Sequence, residues 1–491
     1  MATEALTQSL KSQNTWPLHS VAQTQRIEQE AQAHLPPNTL MQRAGLACAR
    51  MALAIAPHAH TIWIACGPGN NGGDGLEAAT HLRAWGKNPV VTWLGHEDRL
   101  PADAQQALVR ARQAGVTFQT HPPTSADLVM DALLGIGAQR PPEGVISEWL
   151  MAMQALACPV LCIDVPTGLR ADTGEWQGPA LSPTQARHTL SLLTVKPGLF
   201  TASGRDAAGQ VWFNPLGITI SHAPQAWLQQ TRQTTSSTPA HSSHKGSMGD
   251  VVVLGGAPGM TGAAVLASLG ALHGGAGRVF AGVMDEAARH SISATHPALM
   301  VRNVAELTVK NATVVCGCGG GDAIHALLPQ VLSTAYQLVL DADGLNAVAR
   351  DASLQTLLRN RHARQKYTVL TPHPLEAARL LNTSTTQVQQ DRLQSAQQLA
   401  EQFQCVVVLK GSGSVIAAPR QTPVINASGN ARLATAGTGD VLAGLIGAYM
   451  AKGLTDWEAS CQATYAHGHV ADTWPEQGPA LDAARLAASL R

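Results

Sequence analysis

Short apolar segments alternate with helical patterns twice along this chain of 491 residues, and this alternation limits the possible folds more than any other feature. Such alternation favours parallel sheets with helices packed on both faces. In the first half it predicts helices at Val21–Gln32, Met41–Ile55, Gly75–Trp85 and Ala102–Gln113, and strands at Thr61–Cys66, Pro89–Trp93, Leu128–Ala132 and Val160–Val165. In the second half it predicts strands at Asp250–Leu254, Arg278–Val283, Thr313–Cys316, Leu338–Asp341, Thr368–Leu370 and Val406–Lys410, and helices at Gly262–His273, within Leu380–Gln404 and at Thr438–Met450. We therefore expect an α/β protein with two domains, the first a doubly wound parallel sheet.

A polar stretch separates the two halves. The run QQTRQTTSSTPAHSS at Gln229–Ser243 has almost no apolar residues, which is typical of a linker. This composition predicts a first domain at residues 1–228, a linker at 229–243 and a second domain at 244–491.

The charge balance excludes some classes of partner. Lys plus Arg and Asp plus Glu both number 33, so the chain has no net field to hold nucleic acid or an anionic membrane. The uncharged stretch 251–277 is long enough to span a bilayer, but its eight glycines fit a strand, a loop and a helix instead. The N-terminus lacks a secretory apolar region and the eight cysteines lack zinc spacing. We expect a cytoplasmic protein with reduced thiols.

A glycine-rich run follows the first predicted strand. Residues Cys66–Gly75 read CGPGNNGGDG and open a helix, which is where open α/β sheets bind ligands. Glycines let backbone N–H groups approach an anion, and the helix N-terminus adds a favourable dipole. An ordinary strand-to-helix turn is the alternative, and two consecutive asparagines followed by GGDG argue against it.

Two later strand ends carry an acid before a glycine. Asp131 opens the run DALLGIG, and Asp164 opens the run DVPTG. Because the carboxyl ends of parallel strands line one crevice, Asp131, the Thr167 hydroxyl and Asn71 together could surround a monovalent or divalent cation. Ligation by oxygen alone suits hard cations. Taken singly, either aspartate could instead cap the turn that follows it.

These motifs, in this order, resemble the NAD(P)H-hydrate epimerase domain, which implies a Rossmann-like fold. The resemblance implies that a hydrated dinucleotide binds to Asn70, Asn71, Gly72, Gly73 and Asp74, and to a second loop formed by Gly135, Ile136, Gly137, Ala138, Gln139, Arg140 and Pro141. It also implies that Asn71, Asp131 and Thr167 hold potassium and that Asp164 contacts the nicotinamide ring. Asp164 is our candidate for proton transfer, since a carboxylate within hydrogen-bond reach is a suitable base.

The second half contains further glycine-bearing segments. The strongest is Ala436–Asp440, AGTGD, at a predicted helix start. Its N–H groups suit a transferring phosphoryl oxygen, and Asp440 can take a hydroxyl proton. A helix N-cap is the alternative role for this aspartate. The run KGSGS at Lys410–Ser414 offers a second anion-binding loop, and the segments Asp341–Asn346 and Thr371–Glu376 also stand out.

The opening HKGxxG at His244–Gly249, with TPHPLE, KGSGS and AGTGD, resembles the nucleotide-dependent NAD(P)H-hydrate dehydratases of the ribokinase-like α/β/α fold. The resemblance implies that the hydrate contacts Ala263, Gly319, His373 and Asp440, and that the nucleotide binds Lys410, Gly411, Ser412, Gly413, Ser414 and Gly439. One departure is that Gly317-Cys318-Gly319 stands where the family usually has Gly-Pro-Gly. Loss of the proline ring should loosen this loop.

Together the two resemblances imply a bifunctional metabolite-repair enzyme. The first domain would interconvert the R and S hydrates of NADH and NADPH with K⁺ bound. The second would use Mg²⁺ and ADP to dehydrate the S hydrate to NAD(P)H, giving AMP and phosphate. The choice of ADP over ATP comes from the resemblance to the fused bacterial enzymes. We also expect a homo-oligomer without nucleic-acid or membrane partners.

Three alternatives are left open by the residues. The second half could be a vitamin or sugar kinase of the same fold, although HKGxxG and TPHPLE favour the dehydratase. The first half could be a ligand-binding or partner-binding module, although NNGGDG, Asp131 and Asp164 are intact. Both halves could be catalytically inactive scaffolds, although no key position is obviously lost.

Overall fold

The computed structural model of the chain describes residues 6–10, 15–231 and 241–490. Contacts divide the chain into two compact units, Met1–Ala226 and Trp227–Arg491. This division lies two residues before the predicted domain end at 228. Residues 232–240 of the predicted linker lie outside the described residues, whereas Gln229 is buried and ends a strand.

The first unit alternates strands and helices. Its strands are β1 (Gln8–Ser9), β2 (Thr15–Leu18), β3 (Thr61–Cys66), β4 (Asn88–Trp93), β5 (Thr117–Gln119), β6 (Leu128–Ala132), β7 (Val160–Ile163), β8 (Arg187–Leu192) and β9 (Gln210–Asn214). Its helices are α1 (Val21–Gln32), α2 (Thr39–Ile55), α3 (Asn70–Ala84), α4 (Ala102–Gln113), α5 (Val145–Ala155) and α6 (Gly204–Ala208). Eight strands form one sheet in the order β1-β9-β8-β7-β6-β3-β4-β5, and only the β1–β9 pairing is antiparallel.

Both faces of this sheet are covered. Along β3, Ile62 and Ile64 face one apolar core, whereas Trp63 and Ala65 face another. This alternation follows from the two-residue period of a strand, and continuous apolar strands are what a sheet buried on both faces requires. The doubly wound parallel sheet is therefore confirmed.

The glycine-rich motif lies inside a helix. We predicted that the helix would begin at Gly75, but α3 begins at Asn70, so the NNGGDG run forms its first turns. The reason is tight packing: a Cβ on Gly72 would lie 2.1 Å from the Gly67 carbonyl oxygen, and one on Gly73 would lie 2.6 Å from the Met41 Cε. The low helix propensity of glycine is outweighed here by close approach to neighbouring backbone.

The second unit is also α/β. Its strands are β10 (Ala226–Gln229), which crosses the division between the units, β11 (Asp250–Gly255), β12 (Arg278–Val283), β13 (Met300–Arg302), β14 (Thr313–Cys316), β15 (Gln337–Leu340), β16 (Tyr367–Leu370), β17 (Val406–Leu409), β18 (Val415–Ala417) and β19 (Val424–Asn426). Its helices are α7 (Thr261–His273), α8 (Ala288–Thr295), α9 (Leu328–Thr334), α10 (Ala342–Arg350), α11 (Ala352–Ala363), α12 (Pro374–Leu381), α13 (Thr385–Gln390), α14 (Arg392–Phe403), α15 (Thr438–Ala451), α16 (Asp456–Asp472) and α17 (Ala483–Ala488).

The sheet of the second unit runs β13-β12-β11-β14-β15-β16-β17-β18-β19-β10. Pairings are parallel from β13 to β17, and β18 is antiparallel to both of its neighbours. Helices α7 and α15 pack backbone to backbone, since a Cβ on Gly270 or Gly444 would lie 2.3 Å or 1.9 Å from a carbonyl oxygen of the other helix. Among the described residues, no helix combines the length and apolar character needed to cross a bilayer.

Candidate active sites in the two units

The first unit contains a cavity of about 430 Å³ at the carboxyl ends of β3, β6 and β7. The lining includes eight predicted substrate residues: Asn70, Asn71, Asp74, Gly135, Ile136, Gly137, Ala138 and Asp164. They converge because β3 and β6 are neighbours at the point where the strand order reverses. The predicted residues Gly72, Gly73, Gln139, Arg140 and Pro141 are not among those that line this cavity. Its volume suits a small-molecule site.

Asp164 is held by a buried lysine. Its backbone has a positive φ of 66°, which is uncommon outside glycine and often occurs at functional sites. Its carboxylate accepts hydrogen bonds from the Leu192 N–H, at 3.0 Å, and from the Lys196 ammonium. Lys196 is fully buried, and its Nζ also donates to the carbonyls of Leu192 and Thr194, at 2.7 and 2.9 Å. The ammonium therefore fixes the position of the carboxylate that lines the cavity.

Other carboxyl groups line the same cavity. Burial, then the carboxylates of Asp164 and Glu28, raises the pKa of Asp74 well above its usual value. Burial, then Asp164, raises the pKa of Glu28, and Asp103 raises it further. Like charges confined in one low-dielectric space disfavour simultaneous ionisation. The cavity thus combines a lysine-paired carboxylate with neighbours that tend to hold a proton.

Two of the three predicted cation ligands, Asp131 and Thr167, contact each other, and the third, Asn71, lies against Gly135. Asp131 is buried and accepts from the Thr167 hydroxyl at 2.6 Å and from the Thr167 N–H at 2.9 Å. Asn71 lies against Gly135, where a Cβ would be 3.3 Å from the Asn71 Cβ. Among the described residues, the buried Asn71 amide nitrogen has no hydrogen-bond partner. The oxygen and nitrogen of an asparagine amide are assigned from their hydrogen bonds, and here the nitrogen has none within the part of the chain that the structure describes. Rotating the Asn71 amide by 180° would place its oxygen at that position instead. A carboxylate, a hydroxyl and an amide oxygen fit a hard cation.

The second unit gathers charged groups at the carboxyl ends of its central strands. The Cys318 thiol and the carboxylates of Asp341 and Asp440 lie within 4.8 Å of one another. Lys410 Nζ donates to Asp341 at 2.6 Å, and a Cβ on Gly439 would lie 3.1 Å from the same Nζ. The structure therefore brings together Lys410, Gly439 and Asp440, which the sequence had assigned to nucleotide and base.

The pKa values of this cluster are displaced. Burial, then the Asp341 carboxylate, raises the pKa of Asp440 to about 7. Burial also raises the pKa of Glu376 to about 7. For Lys410, burial acts to lower the pKa, but Asp341 and Glu376 outweigh it and the pKa is raised. A carboxyl group with a pKa near neutrality is suited to general base catalysis.

His373 caps helix α12. Its Nδ1 accepts from the N–H groups of Leu375 and Glu376, at 3.1 and 3.2 Å, and its Nε2 lies 3.1 Å from the Glu376 carboxylate. Burial, then the Lys410 ammonium, lowers the pKa of His373. A neutral ring with Nδ1 as acceptor has its proton on Nε2, which can donate to Glu376.

A buried arginine, Arg392, donates hydrogen bonds to the backbone at the start of the KGSGS loop. Gly411 and Gly413 have φ values of 138° and 62°, which favour glycine. Arg392 donates through one nitrogen to the carbonyls of Leu409 and Lys410, both at 3.1 Å. A Cβ on Gly411 would lie 2.9 Å from that nitrogen. These bonds fix the backbone of the loop, whereas Ser412 within it is exposed to solvent.

The glycine loop after β14 contacts two neighbouring segments. Gly317 has a φ of 117°, and a Cβ there would lie 2.0 Å from the Asp341 carbonyl oxygen. Gly319 has a φ of 60°, and its Cβ would lie 2.9 Å from the Ala263 Cβ. The two predicted hydrate-contacting residues Gly319 and Ala263 are therefore neighbours. Gly256 N–H donates to the Cys318 carbonyl at 3.1 Å. The predicted loosening of this loop stays a prediction.

Four charged residues of these sites were not assigned from sequence. Asp341 and Glu376 lie in the DADGLN and TPHPLE segments, and Lys196 opens the segment KPG. A search for lysines and acids at neighbouring strand ends would have found all three. Glu28 lies on the polar helix α1, where nothing in the sequence distinguishes it from a solvated side chain.

Comparisons with known proteins support this division. Residues 37–198 match the family described as YjeF-related protein N-terminus, and residues 251–490 match the family described as NAD(P)H-hydrate dehydratase. The chain is 35% identical over 461 residues to the bifunctional NAD(P)H-hydrate repair enzyme Nnr of Escherichia coli, covering 88% of this chain and 84% of that protein. It is 42% identical over 243 residues to the ADP-dependent (S)-NAD(P)H-hydrate dehydratase of Neisseria meningitidis, covering 48% of this chain and 81% of the relative.

A solved structure of the ADP/ATP-dependent NAD(P)H-hydrate dehydratase from Bacillus subtilis, co-crystallised with ATP and Mg²⁺, is 29% identical and covers 51% of this chain and 90% of that one, with a TM-score of 0.45. The resemblance that the motifs indicated is confirmed by the two family matches and the full-length relatives. The chain belongs to the family of bifunctional NAD(P)H-hydrate repair enzymes.

Proposed function

We propose that the first unit interconverts the R and S hydrates of NADH and NADPH, and that Asp164 moves the proton. The observation that supports this role is the Asp164 carboxylate at the cavity wall, held by the buried Lys196 ammonium. Asn70, Asn71, Asp74 and the Gly135–Ala138 loop share that cavity and would hold the hydrated ring. Asp131, Thr167 and the turned amide of Asn71 would hold K⁺ beside it.

We propose that the second unit dehydrates the S hydrate with ADP. Asp440 takes the proton of the hydrate hydroxyl, whose oxygen attacks the terminal phosphorus of ADP and releases AMP. The lone pair of the ring nitrogen then expels the phosphate, and loss of a ring proton restores NAD(P)H. The pKa of Asp440, raised to about 7, supports its role as the base at neutral pH.

The nucleotide would bind between two loops of the second unit. The exposed side of Lys410–Ser414 and the N-terminus of α15 at Gly439 offer backbone N–H groups to phosphates. Lys410 adds a partly buried positive charge beside them. We expect ADP rather than ATP, because the Neisseria meningitidis relative, 42% identical over 243 residues, is named an ADP-dependent dehydratase.

Mg²⁺ would arrive with the nucleotide. The cluster of Cys318, Asp341 and Asp440 includes a thiol, and Lys410 already occupies Asp341. These donors do not form the oxygen cage that a resident Mg²⁺ requires, whereas Mg²⁺ commonly binds through phosphates and water with few protein ligands. When bound, Mg²⁺ would neutralise charge that develops on the transferred phosphoryl group.

A reducing compartment fits the chain. All eight cysteines are free, and seven of them are buried. Free thiols are typical of cytosolic proteins, so a cytoplasmic location remains our proposal. Association with further copies of the chain stays a prediction.

One experiment tests the whole proposal. The full chain is incubated with mixed R and S hydrates, ADP or ATP is added separately, and both epimers are followed by chromatography together with NADH absorbance. We expect both epimers to be consumed and NADH to be recovered with ADP. A stable phosphorylated product without NADH recovery would indicate a kinase. Consumption of R no faster than its spontaneous epimerisation would contradict the role of the first unit.

A further inference from the structure

The side chain of Cys318 is fixed in the dehydratase site. Cys318 is fully buried and stands between Gly317 and Gly319, both with positive φ. Its carbonyl accepts from the Gly256 N–H at 3.1 Å, and the Gly319 carbonyl accepts from the Ala257 N–H at 2.7 Å. These bonds tie the backbone of the loop to the residues that follow β11, and the surrounding atoms enclose the thiol completely.

The thiol and the candidate base are close enough to interact. Cys318 Sγ lies within 4.8 Å of carboxylate oxygens of Asp440 and Asp341. Asp440 acts on the thiol both through its charge and through a side-chain hydrogen bond, whereas Asp341, which Lys410 contacts at 2.6 Å, acts on it through its charge. Burial, then Asp440 and Asp341, raises the pKa of Cys318 well above its usual value, so the sulfur keeps its proton and can donate it.

We propose that Cys318 is a positioning residue for dehydration: its thiol donates a hydrogen bond to the Asp440 carboxylate and holds that carboxylate charged and oriented toward the hydrate hydroxyl. The inference rests on the proposed role of Asp440 as base. Nothing in the sequence or the comparisons assigns a role to this cysteine. A proline at position 318 would offer no donor to Asp440.

The groups around Asp440 determine the direction in which loss of the Cys318 thiol would shift the pKa of Asp440. Asp341 and Asp343, at the end of β15 and the start of α10, raise the pKa of Asp440 in addition to its burial. Lys410, at the end of β17, and Cys318, after β14, lower it. Cys318 and Lys410 thus both favour the carboxylate form, and removal of the Cys318 thiol should raise the pH that Asp440 needs to act.

The test compares three variants of the full chain. Cys318→Ala removes the donor, and Cys318→Ser restores one as a hydroxyl. Cys316→Ala is the matched control, since Cys316 is equally buried two residues earlier and burial alone raises its pKa to about 12. The value of kcat/KM for ADP-dependent dehydration is measured against pH, because this parameter reports ionisation in the free enzyme.

We expect the acid limb of the Cys318→Ala profile to move up by about half to one pH unit, the weight of one ordinary hydrogen bond, because a thiol is a weak donor. Cys318→Ser should return most of the shift, and Cys316→Ala should leave the limb in place. Equal shifts in Cys318→Ala and Cys316→Ala would overturn the proposal, since a cavity alone would then explain them. An unmoved limb in Cys318→Ala would overturn it as well.

Infrared spectroscopy keeps the proposal testable if Cys318→Ala folds poorly. The S–H stretching band of Cys318, isolated by difference against Cys318→Ser, should shift as pH crosses the ionisation of Asp440, because the acceptor changes from a carboxylic acid to a carboxylate. A band that does not move would refute the hydrogen bond. Asp440→Asn distinguishes a failure of the proposed base from a failure of the proposed thiol. Retained dehydration in this variant would refute the role of Asp440 as base. Lost dehydration, together with a Cys318 band at the same position as in the unmodified chain, would refute only the role of the thiol.

Discussion

Replacing Lys196 by methionine tests how the first unit holds Asp164. The Lys196 side chain is fully buried, and its ammonium bonds to Asp164 and to the carbonyls of Leu192 and Thr194. Methionine has a similar length and volume but no charge. The substitution therefore removes the electrostatic partner and leaves the packing nearly unchanged.

The size of the effect follows from these contacts. Removing one member of a buried ion pair costs about 3–5 kcal/mol, because the other charge is stranded. The Asp164 side chain keeps 13% of its exposure and faces the cavity, so water relieves part of this cost. The two carbonyls lose a donor, at about 1 kcal/mol each. We expect Lys196→Met to lower the free energy of unfolding of the first unit by about 4 kcal/mol.

The double variant Lys196→Met/Asp164→Asn separates charge from packing. It removes the stranded carboxylate, so about 2 kcal/mol should return. Urea unfolding followed by tryptophan fluorescence reports on the first unit, since seven of the ten tryptophans precede residue 226. Lys87→Met is the matched control, because its bond to the Pro57 carbonyl is exposed, and it should change stability by less than about 0.5 kcal/mol. A loss below about 1 kcal/mol in Lys196→Met, or a double variant no more stable than the single one, would refute the reasoning.

Four further outcomes concern the second unit. Asp440→Asn should abolish ADP-dependent dehydration and spare epimerisation, as chromatography of both epimers would show. In the unmodified chain, kcat/KM for dehydration should fall as pH drops through about 7, because Asp440 is protonated below its raised pKa. Asp341→Asn should move this fall in kcat/KM to lower pH, because Asp341 raises the pKa of Asp440. Gly317→Ala should destabilise the second unit by several kcal/mol in thermal unfolding, since its φ is 117° and the new Cβ would lie 2.0 Å from the Asp341 carbonyl oxygen.

The buried strands were the most predictable part of the fold. The bounds of Thr61–Cys66, Leu128–Ala132, Arg278–Val283 and Thr313–Cys316 were predicted as the structure has them. Each is an apolar run, and sheets covered on both faces need such runs. The helices Val21–Gln32 and Ala102–Gln113 were equally well predicted.

Elements with mixed composition were not predicted. Strand β8 includes Arg187, His188 and Thr189, and its interior position in the sheet becomes evident only from its neighbours β7 and β9. The start of α3 was misjudged because glycine and asparagine indicate loops locally, while the need for close backbone contact is a tertiary effect. The Lys196–Asp164 and Lys410–Asp341 pairs likewise join residues 32 and 69 positions apart, which no local pattern reports.

The two candidate bases differ in how a neighbouring lysine is placed relative to them. In the first unit Lys196 bonds to Asp164 itself, which orients the carboxylate that faces the cavity. In the second unit Lys410 bonds to Asp341 instead, and burial and the nearby Asp341 carboxylate raise the pKa of Asp440. That arrangement keeps the pKa of Asp440 at about 7, where a carboxylate can both accept a proton from a hydroxyl and return it near neutral pH. A direct bond from Lys410 to Asp440 would lower the pKa of Asp440 further, so the pairing of Lys410 with Asp341 helps to keep that pKa near neutrality.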